Sequence, residues 1–256
     1  MGDGTSRATG VSATAVTVDL AIFTVREGEL QVLLIKRGKE PFHGMLALPG
    51  GYVRHDEDLD EAAVRELGEE TGVDGRKLHL EQLRAYGTPQ RDPRGRVITV
   101  AYLALGPDLP TPRAGSDAQA AEWLPVAVAL SPEVELAFDH ALILRSALER
   151  ARSQLEYTTV ATAFCQAPFS VGDLRRVYEA VWGVSLDPSN FRRKVTRAEQ
   201  FIEATGERRM AEIGRPAALY RRGSARILFP PLLRFADIAN DTGGVPGAIR
   251  SFDPAI

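Results

Sequence analysis

The sequence has almost no cysteine and no long apolar segment, and both absences narrow the class of protein. Cys165 is the only cysteine in 256 residues, which excludes an intramolecular disulfide and fits a reducing compartment. No apolar run approaches the ~20 residues that cross a bilayer. The first residues also lack the charged and then apolar layout of a signal peptide. We therefore expect a soluble, cytoplasmic protein with no membrane partner, made of one large or two modest domains.

Charge is unevenly distributed along the chain. The net charge is −3, yet residues 157–234 contain 13 Lys and Arg against 7 Asp and Glu. That segment therefore carries +6 and the remainder carries −9. An acidic first part and a basic second part predict two domains with different partners, a metal-dependent anion site in the first and a polyanion in the second.

The most informative stretch is Gly51–Val73, with the sequence GYVRHDEDLDEAAVRELGEETGV. Asp58 and Glu61 have the spacing of a capping box, although Asp56 is an alternative cap. Gly72 lies where a left-handed helix end is expected. The local signals therefore predict a tight turn followed by a helix over residues 59–71.

This helix directs carboxylates toward its packed side. At about 100° per residue, Glu66 and Glu70 fall within the apolar arc of Leu59, Ala62, Ala63 and Leu67, and Glu69 lies at the edge of that arc. Carboxylates facing a packed side need a cation, and Mg²⁺ prefers such oxygens together with substrate phosphates. The alternative is a solvated acidic face with intrahelical Arg–Glu pairs.

The whole 23-residue stretch resembles the Nudix box, G-x5-E-x7-R-E-U-x-E-E-x-G-U with U aliphatic, at every defined position. The resemblance implies a Nudix hydrolase-like domain that acts on a nucleoside diphosphate linked to another group. It also implies that Mg²⁺ binds to Glu66, Glu69 and Glu70, which with Arg65 and Glu57 form the catalytic set. The preceding Gly50 and Gly51 resemble the family's lead-in, where backbone approaches the diphosphate.

The rest of the first half predicts several strands and one further long helix. β-Branched and apolar runs predict strands, and apolar residues at helical spacing predict a helix. The predicted strands are 16–25, 31–36, 78–86, 96–105 and a short one at 122–123, and the predicted helix is 136–150. This order predicts an α+β protein whose first domain is an α/β/α sandwich.

A loop at residues 88–96 presents three arginines beside the expected diphosphate site. Arginine recognises phosphate with a bidentate fork, so Arg91, Arg94 and Arg96 are candidate ligand-binding residues. A solvent-exposed basic turn is the alternative. Pro89, 16 residues past the box, and the segment RDPRGR resemble the ADP-ribose branch of Nudix hydrolases, which implies ADP-ribose or a related nucleotide as ligand. His140, in a segment that also resembles that branch, is first a packing candidate.

Beyond about residue 157 the pattern changes to short helices. A first helix is predicted at 159–164, and Ser170 and Gly183 bracket a second helix at 171–182. Asp187-Pro188 then has the cap-and-proline signature of a third helix, from Ser189 to about Ala198. Two helices joined by a short glycine-containing turn predict a helix-turn-helix.

The third helix and the residues after it are rich in arginine. Phe191 and Val195 are spaced to anchor the helix, and segments 208–212 and 217–222 are predicted to form the two strands of a hairpin. Arg and Asn can contact base edges, and Lys and Arg contact phosphates. The predicted DNA-binding residues are Ser189, Asn190, Arg192, Arg193, Lys194, Arg197, Arg215, Arg221 and Arg222.

Over about residues 14–230 the chain resembles one family, the Nudix-related transcriptional regulators of NAD metabolism (the NrtR family) found in bacteria. FSVGDLRRVYEAVWG, SNFRRKV and GRPAALYR carry the C-terminal part of the resemblance. It implies a repressor that binds a palindromic operator as a homodimer and is released by ADP-ribose or a related NAD metabolite. The domains expected are a disordered leader at 1–13, a Nudix domain at 14–152, a winged helix-turn-helix at 157–235 and a tail at 236–256.

The complete Nudix box leaves the enzymatic question open. A regulator with residual Mg²⁺-dependent ADP-ribose hydrolysis is one hypothesis. The alternative is a plain ADP-ribose pyrophosphatase whose second domain serves dimerisation or substrate selection. A box glutamate, Glu133 or Glu135 are the candidates for the general base.

Overall fold

The computed structural model describes residues 14–110, 118–210 and 216–234. The chain divides into two compact units. The first contains the residues up to Ala151 together with Ala163–Gln166, and the second contains Arg152–Thr162 and the residues from Ala167 onward. The predicted leader at 1–13 and tail at 236–256 lie outside the described residues.

The first unit is a mixed sheet with helices on both sides. Its strands are β1 (Ala15–Arg26), β2 (Glu29–Arg37), β3 (Leu46–Ala47), β4 (Gly50–Tyr52), β5 (His79–Tyr86), β6 (Val97–Leu105) and β7 (Ala118–Pro125). Its helices are α1 (Leu59–Thr71), the short α2 (Val126–Ala129) and α3 (His140–Tyr157), whose last residues belong to the second unit.

Strand β1 is the centre of this sheet. Within the described residues the main path is β3-β2-β1-β6-β5, with β4 paired to β1 and β7 paired to β2. The β1–β6 pair is parallel, and the other pairs are antiparallel. The short β4 pairs with the beginning of β1, where Asp19 lies opposite Gly50 and Thr17 opposite Tyr52. This pairing places the turn before α1 directly beside the central strand.

Alternation along β1 separates two faces of the sheet. Val18 packs in one core cluster with Ala63 and Leu67 of α1. The neighbouring Asp19 points to the opposite face, where His140 at the start of α3 lies 3.7 Å from its carboxylate. Helices therefore cover both faces, and the predicted α/β/α sandwich is confirmed.

Helix α1 begins and ends at the predicted residues. The Asp58 side chain and the Glu61 side chain form a reciprocal capping box, so two free N–H groups at the helix start are satisfied. Gly72 adopts the left-handed conformation at φ 68° and its N–H donates to the Gly68 carbonyl. The caps fix the direction of the helix, and therefore the direction of its carboxylates.

Helix α3 differs from the prediction at both ends. The segment before it is held in an extended path, since the Ala137 N–H donates to the Leu46 carbonyl. Phe138 has φ 56°, a conformation that no residue within a right-handed helix adopts. The helix therefore begins at His140 instead of residue 136, and it continues to Tyr157 instead of ending at residue 150. Strand β7 is also longer than the predicted two residues.

The second unit is a winged helix-turn-helix. A 3₁₀ helix (Thr159–Phe164) replaces the predicted first helix, and it is followed by β8 (Phe169–Ser170), α4 (Val171–Trp182), α5 (Pro188–Arg197), β9 (Ile202–Arg209) and β10 (Ala217–Arg222). The strands form a three-stranded antiparallel sheet in the order β8-β10-β9. The first wing strand was predicted at 208–212 and instead begins at Ile202, because β10 pairs as far back as Ile202. Residues 211–215 lie outside the described residues.

A search of the described residues finds no helix that is long and apolar enough to cross a membrane.

Candidate functional site

The Arg65 side chain links helix α1 to the turn that precedes it. The Arg65 guanidinium donates to both carboxylate oxygens of Glu57, at 2.9 and 2.6 Å, and to the Tyr52 carbonyl at 3.3 Å. The hydrogen bonds from Arg65 lower the pKa of Glu57 to about 2. Glu57 and Arg65 thus tie the turn to the helix.

The three predicted metal carboxylates have different surroundings. Glu66 is buried and accepts from Arg65 at 2.6 Å, whereas Glu69 is 51% exposed and lies 3.5 Å from Arg65 and 3.6 Å from Arg54. Burial raises the pKa of Glu66. Glu70 is also buried, and its Oε2 atom has no hydrogen-bond partner.

Of the three predicted metal carboxylates, Glu70 is the one with a buried oxygen that has no hydrogen-bond partner. Burial, reinforced by the nearby charges of Glu66 and Glu69, raises the pKa of Glu70 to about 7. Within the described residues, no three His, Cys, Asp or Glu side chains are placed so that together they could hold a metal ion. The donor type nevertheless suits Mg²⁺, because Glu70 has an unpartnered buried carboxylate oxygen and the charges of Glu66 and Glu69 act on it.

Gly51 lies directly against one of these carboxylates. A Cβ atom at Gly51 would lie 2.1 Å from Glu66 Oε1, and a Cβ atom at Gly50 would lie 2.2 Å from the Val18 carbonyl oxygen. The absence of a side chain at these two positions is therefore required for the packing of β4 against α1 and β1.

A pocket lies on the opposite face of β4 from these carboxylates. Because side chains alternate along a strand, Tyr52 points away from α1, to the side occupied by Thr17 and Asp19 of the paired β1. The cavity volume is about 180 Å³. Its lining comprises Thr17, Asp19, Ile35, Arg37, Gly38, Lys39, Glu40, Leu48, Gly50, Gly51, Tyr52, Arg91, Asp92, Arg94, Phe138 and His140.

Arg91 lines this pocket, but its guanidinium is held by two carboxylates. It donates to both oxygens of Asp139, at 3.0 and 2.6 Å, and it lies 3.4 Å from Asp19. Its side chain is only 4% exposed. His140 completes the cluster: its Nδ1 accepts from the Leu48 N–H at 2.9 Å, and burial lowers its pKa. The fork predicted to bind phosphate is therefore used to join β1 to the start of α3.

The guanidinium of Arg94 contacts one carboxylate instead of two, and the side chain remains 40% exposed. Its Nε and Nη2 atoms donate to the buried carboxylate of Asp92, the closest approach being 2.5 Å. Burial alone would raise the pKa of Asp92, but the hydrogen bonds from Arg94 outweigh that effect and the pKa lies below its ordinary value. The guanidinium carbon is 5.6 Å from the ring centre of Tyr52 and 5.6 Å from that of Phe138.

The remaining predicted ligand residues lie outside the pocket lining. Pro89 is exposed, and Arg96 is exposed with its guanidinium donating to the Gly87 carbonyl at 2.5 Å. Of the six predicted ligand residues, the structure brings together Gly50, Gly51, Arg91 and Arg94.

The sequence reasoning missed several residues that line the pocket. Tyr52 directly follows the two glycines, and that position in the sequence was a usable signal. Phe138 lies in the segment before His140 that resembles the ADP-ribose branch, and Asp19 lies in a strand predicted from its β-branched and apolar residues. The arginine at the end of β2, Arg37, lies 4.7 Å from the Phe138 ring centre.

The second unit presents a basic helix on a packed support. Pro188 opens α5, and Asp187 caps it by accepting from the Asn190 N–H at 2.7 Å. Phe191 and Val195 are buried, and the Phe191 ring lies 5.2 Å from that of Tyr178 in α4. The predicted DNA-binding side chains occupy the other side: Ser189, Arg192, Arg193 and Arg197 are exposed, and Asn190 and Lys194 are half-buried.

The wing adds further exposed arginines. Arg222 is exposed, and Arg221 is exposed while donating to Glu203 of the paired strand at 3.0 Å. Arg215 lies outside the described residues. Arg209 in β9 reaches Asp173 at the start of α4, at 2.9 Å. Helix α5 and the wing thus supply exposed arginines on the surface of the second unit.

Two family models match the chain. The NUDIX domain matches residues 15–146, and the NrtR DNA-binding winged helix domain matches residues 162–222.

A transcriptional repressor and an ADP-ribose pyrophosphatase are both similar to this chain. The ADPR responsive transcriptional repressor NtrR of Acinetobacter baylyi is 36% identical over 208 residues, which cover 80% of this chain and 81% of the repressor. The ADP-ribose pyrophosphatase of Methanocaldococcus jannaschii is 41% identical over 128 residues, which cover 49% of this chain and 70% of the enzyme.

Solved structures of Shewanella oneidensis NrtR are also similar. The complex with a 27mer DNA has 33% identity and a TM-score of 0.70, and the match covers 82% of this chain and 96% of that one. The NUDIX domain of the same protein, complexed with ADP ribose, has 34% identity and a TM-score of 0.51, covering 57% of this chain and 94% of that domain.

Proposed function

The chain belongs to the NrtR family, and from this membership we propose that it is an ADP-ribose-responsive transcriptional repressor. The observation that carries the proposal is that one chain combines a Nudix-fold pocket lined by cationic and aromatic side chains with a winged helix that has an exposed basic recognition helix. The first unit senses the ligand and the second binds operator DNA. Acting on operator DNA, the protein would work in the bacterial cytoplasm.

The pocket has the chemistry that an anionic nucleotide requires. Arg37 and Lys39 contribute cationic groups to its lining, and Tyr52 and Phe138 contribute aromatic surface. Cations attract the diphosphate, and aromatic rings bury the sugar and base. The relative of known structure that binds ADP ribose through its NUDIX domain supports ADP-ribose as the ligand.

Helix α5 has the chemistry that duplex DNA requires. Its exposed arginines can contact both phosphates and guanine edges, and the wing arginines extend the same surface. We propose that a homodimer places two such helices on the half-sites of a palindromic operator, and that ADP-ribose releases the dimer from DNA.

The test is a DNA-binding titration on the promoter next to the protein's own gene, with and without ADP-ribose, in EDTA and in Mg²⁺. We expect specific binding that ADP-ribose relieves in EDTA, because sensing through the pocket needs no chemistry at the carboxylates. Absence of specific binding in every condition would refute the repressor assignment for that promoter.

The recognition helix is tested by Arg193→Ala with Lys194→Ala. This double variant should lose operator binding and reduce the salt dependence of any residual binding, because it removes groups that contact DNA. Arg76→Ala with Arg84→Ala removes the same charge from exposed positions of the first unit and is the matched control. Equal loss in both variants would show that net charge, and not the helix, determines binding.

A second candidate activity is ADP-ribose hydrolysis, which the orphaned carboxylate oxygen of Glu70 favours. Glu66, Glu69 and Glu70 would hold Mg²⁺, with Arg65 and Glu57 supporting them. The metal would neutralise developing phosphate charge and activate water, giving AMP and ribose 5-phosphate. Glu69→Gln with Glu70→Gln should abolish any Mg²⁺-dependent AMP release, and turnover by that variant would remove these residues from the site.

A further inference from the structure

The hydrogen-bonding edge of Arg94 is already in use within the protein. Its Nε and Nη2 atoms both donate to Asp92, a side chain that is almost fully buried. A phosphate that needs the same fork would have to break this charge-assisted pair. These bonds use only the Nε and Nη2 atoms, so a ligand can still contact the Nη1 donors and the flat face of the guanidinium.

That face lies among aromatic rings. The guanidinium carbon of Arg94 is 5.6 Å from the ring centres of both Tyr52 and Phe138, within the range of a cation–π contact. Tyr52 belongs to β4 and Phe138 precedes α3, so two separate parts of the first unit meet at this arginine. All three side chains line the pocket.

Phe138 is fixed in place from several directions. The Phe42 ring meets it edge-on at 4.7 Å, and the Arg37 guanidinium carbon lies 4.7 Å from its ring centre. Both Phe42 and Phe138 have positive φ angles, of 65° and 56°, which non-glycine residues seldom adopt. Backbone strain that is held by packing around a pocket is typical of a ligand site.

From this arrangement we propose that Tyr52, Phe138 and Arg94 form a stacking surface for the base of the nucleotide ligand. Planar bases stack on aromatic rings and on guanidinium faces, whereas a phosphate monoester has no planar face to offer. The proposal rests on the proposed function, in which the pocket binds ADP-ribose, and it assigns the end of the ligand that Arg94 contacts.

The position of the Glu66 carboxylate agrees with a ligand whose base lies toward Tyr52 and Phe138. Glu66 lies against Gly51 on one face of β4, while Tyr52 points to the other face. A diphosphate near Gly51 would leave the base end of the ligand to extend across the pocket face, toward Tyr52 and Phe138.

The test compares two fragments of ADP-ribose by calorimetric titration in EDTA. AMP and ribose 5-phosphate each carry one phosphate monoester, but only AMP carries the base. Tyr52→Leu should weaken AMP and ADP-ribose by roughly ten- to a hundredfold, the range found when one base-stacking ring is removed. The same variant should leave ribose 5-phosphate unchanged, and Tyr52→Phe, which keeps the ring, should bind AMP like the wild type.

Tyr157→Leu is the matched control, since Tyr157 is 48% exposed and Tyr52 is 49% exposed. Phe138→Leu provides a second variant on the other ring and should show the same fragment pattern. Equal weakening of AMP and ribose 5-phosphate, or no weakening of AMP, would overturn the stacking assignment.

Failure of the proposed function can be distinguished from failure of the stacking assignment. If the wild type binds AMP through Tyr52 but its operator binding ignores ADP-ribose, the stacking surface stands and the sensor assignment falls. If the wild type binds neither AMP nor ADP-ribose, both fall.

Discussion

Replacing Glu70 by Gln should make the metal-free protein more stable above pH 7. Glu70 is buried, its Oε2 has no hydrogen-bond partner, and burial raises its pKa to about 7. The folded protein therefore stores an unfavourable charge at this position when no metal is bound. Gln has the same shape and carries no charge, so the substitution removes that cost.

The sign and size of the stability difference follow from the raised pKa of Glu70. Between pH 4.5 and about 7 the folded state retains a proton that the unfolded chain has released, so wild-type stability falls across this window and levels off above it. At about 1.4 kcal/mol per pKa unit the full shift corresponds to roughly 3 kcal/mol. Allowing for solvent screening at the partly accessible site, we expect about 1–2 kcal/mol.

The measurement is the melting temperature of wild type and Glu70→Gln in EDTA, at pH 5 and pH 8.5. The variant should melt within error of the wild type near pH 5 and roughly 2 to 8 °C higher at pH 8.5. Glu69→Gln is the control, because Glu69 is 51% exposed and lies beside two arginines, and it should show no such gain. A Glu70→Gln variant that gains nothing at pH 8.5, or gains equally at both pH values, would refute the reasoning.

Two further pairs of variants test the packing of the site. Gly51→Ala should cost at least about 2 kcal/mol in urea unfolding, because its Cβ would lie 2.1 Å from Glu66 Oε1. Gly68→Ala in helix α1, where the added Cβ would lie 3.6 Å from the Val73 carbonyl oxygen, should instead stabilise by about 0.5–1 kcal/mol; a similar loss for both variants would contradict the steric argument. Arg91→Ala should cost about 3 kcal/mol or more, since it leaves buried carboxylates unpaired. Arg96→Ala, at an exposed position, should change stability by under about 0.5 kcal/mol. Equal losses of stability in Arg91→Ala and Arg96→Ala would show that the ion pairs of Arg91 do not stabilise the fold.

Features that depend on neighbouring residues were predictable from the sequence. Helix α1 begins at its capping box and ends at Gly72, and α4 likewise begins after Ser170 and ends at Gly183. Each cap is a hydrogen bond between groups a few residues apart, so the chain carries the complete signal locally. The inward direction of Glu66 and Glu70 followed from helix periodicity alone.

Elements without such local signals were misplaced. Helix α3 starts late because Phe138 has a positive φ and its neighbour Ala137 bonds to Leu46, neither of which composition reveals. The first wing strand begins at Ile202 because it pairs with β10, although its exposed polar residues give little alternation.

The roles of the arginines were decided by tertiary structure. The sequence established that three arginines follow the Nudix box, and their type predicted phosphate binding. Folding brings Asp139 to Arg91 from 48 positions away and uses the fork of Arg94 on buried Asp92, leaving a flat face toward Tyr52. The sequence by itself determined where the capped helices α1 and α4 begin and end and which carboxylates α1 directs inward, because caps and periodicity act over a few residues. Which groups remain available to a ligand depended on partners that only packing brings together.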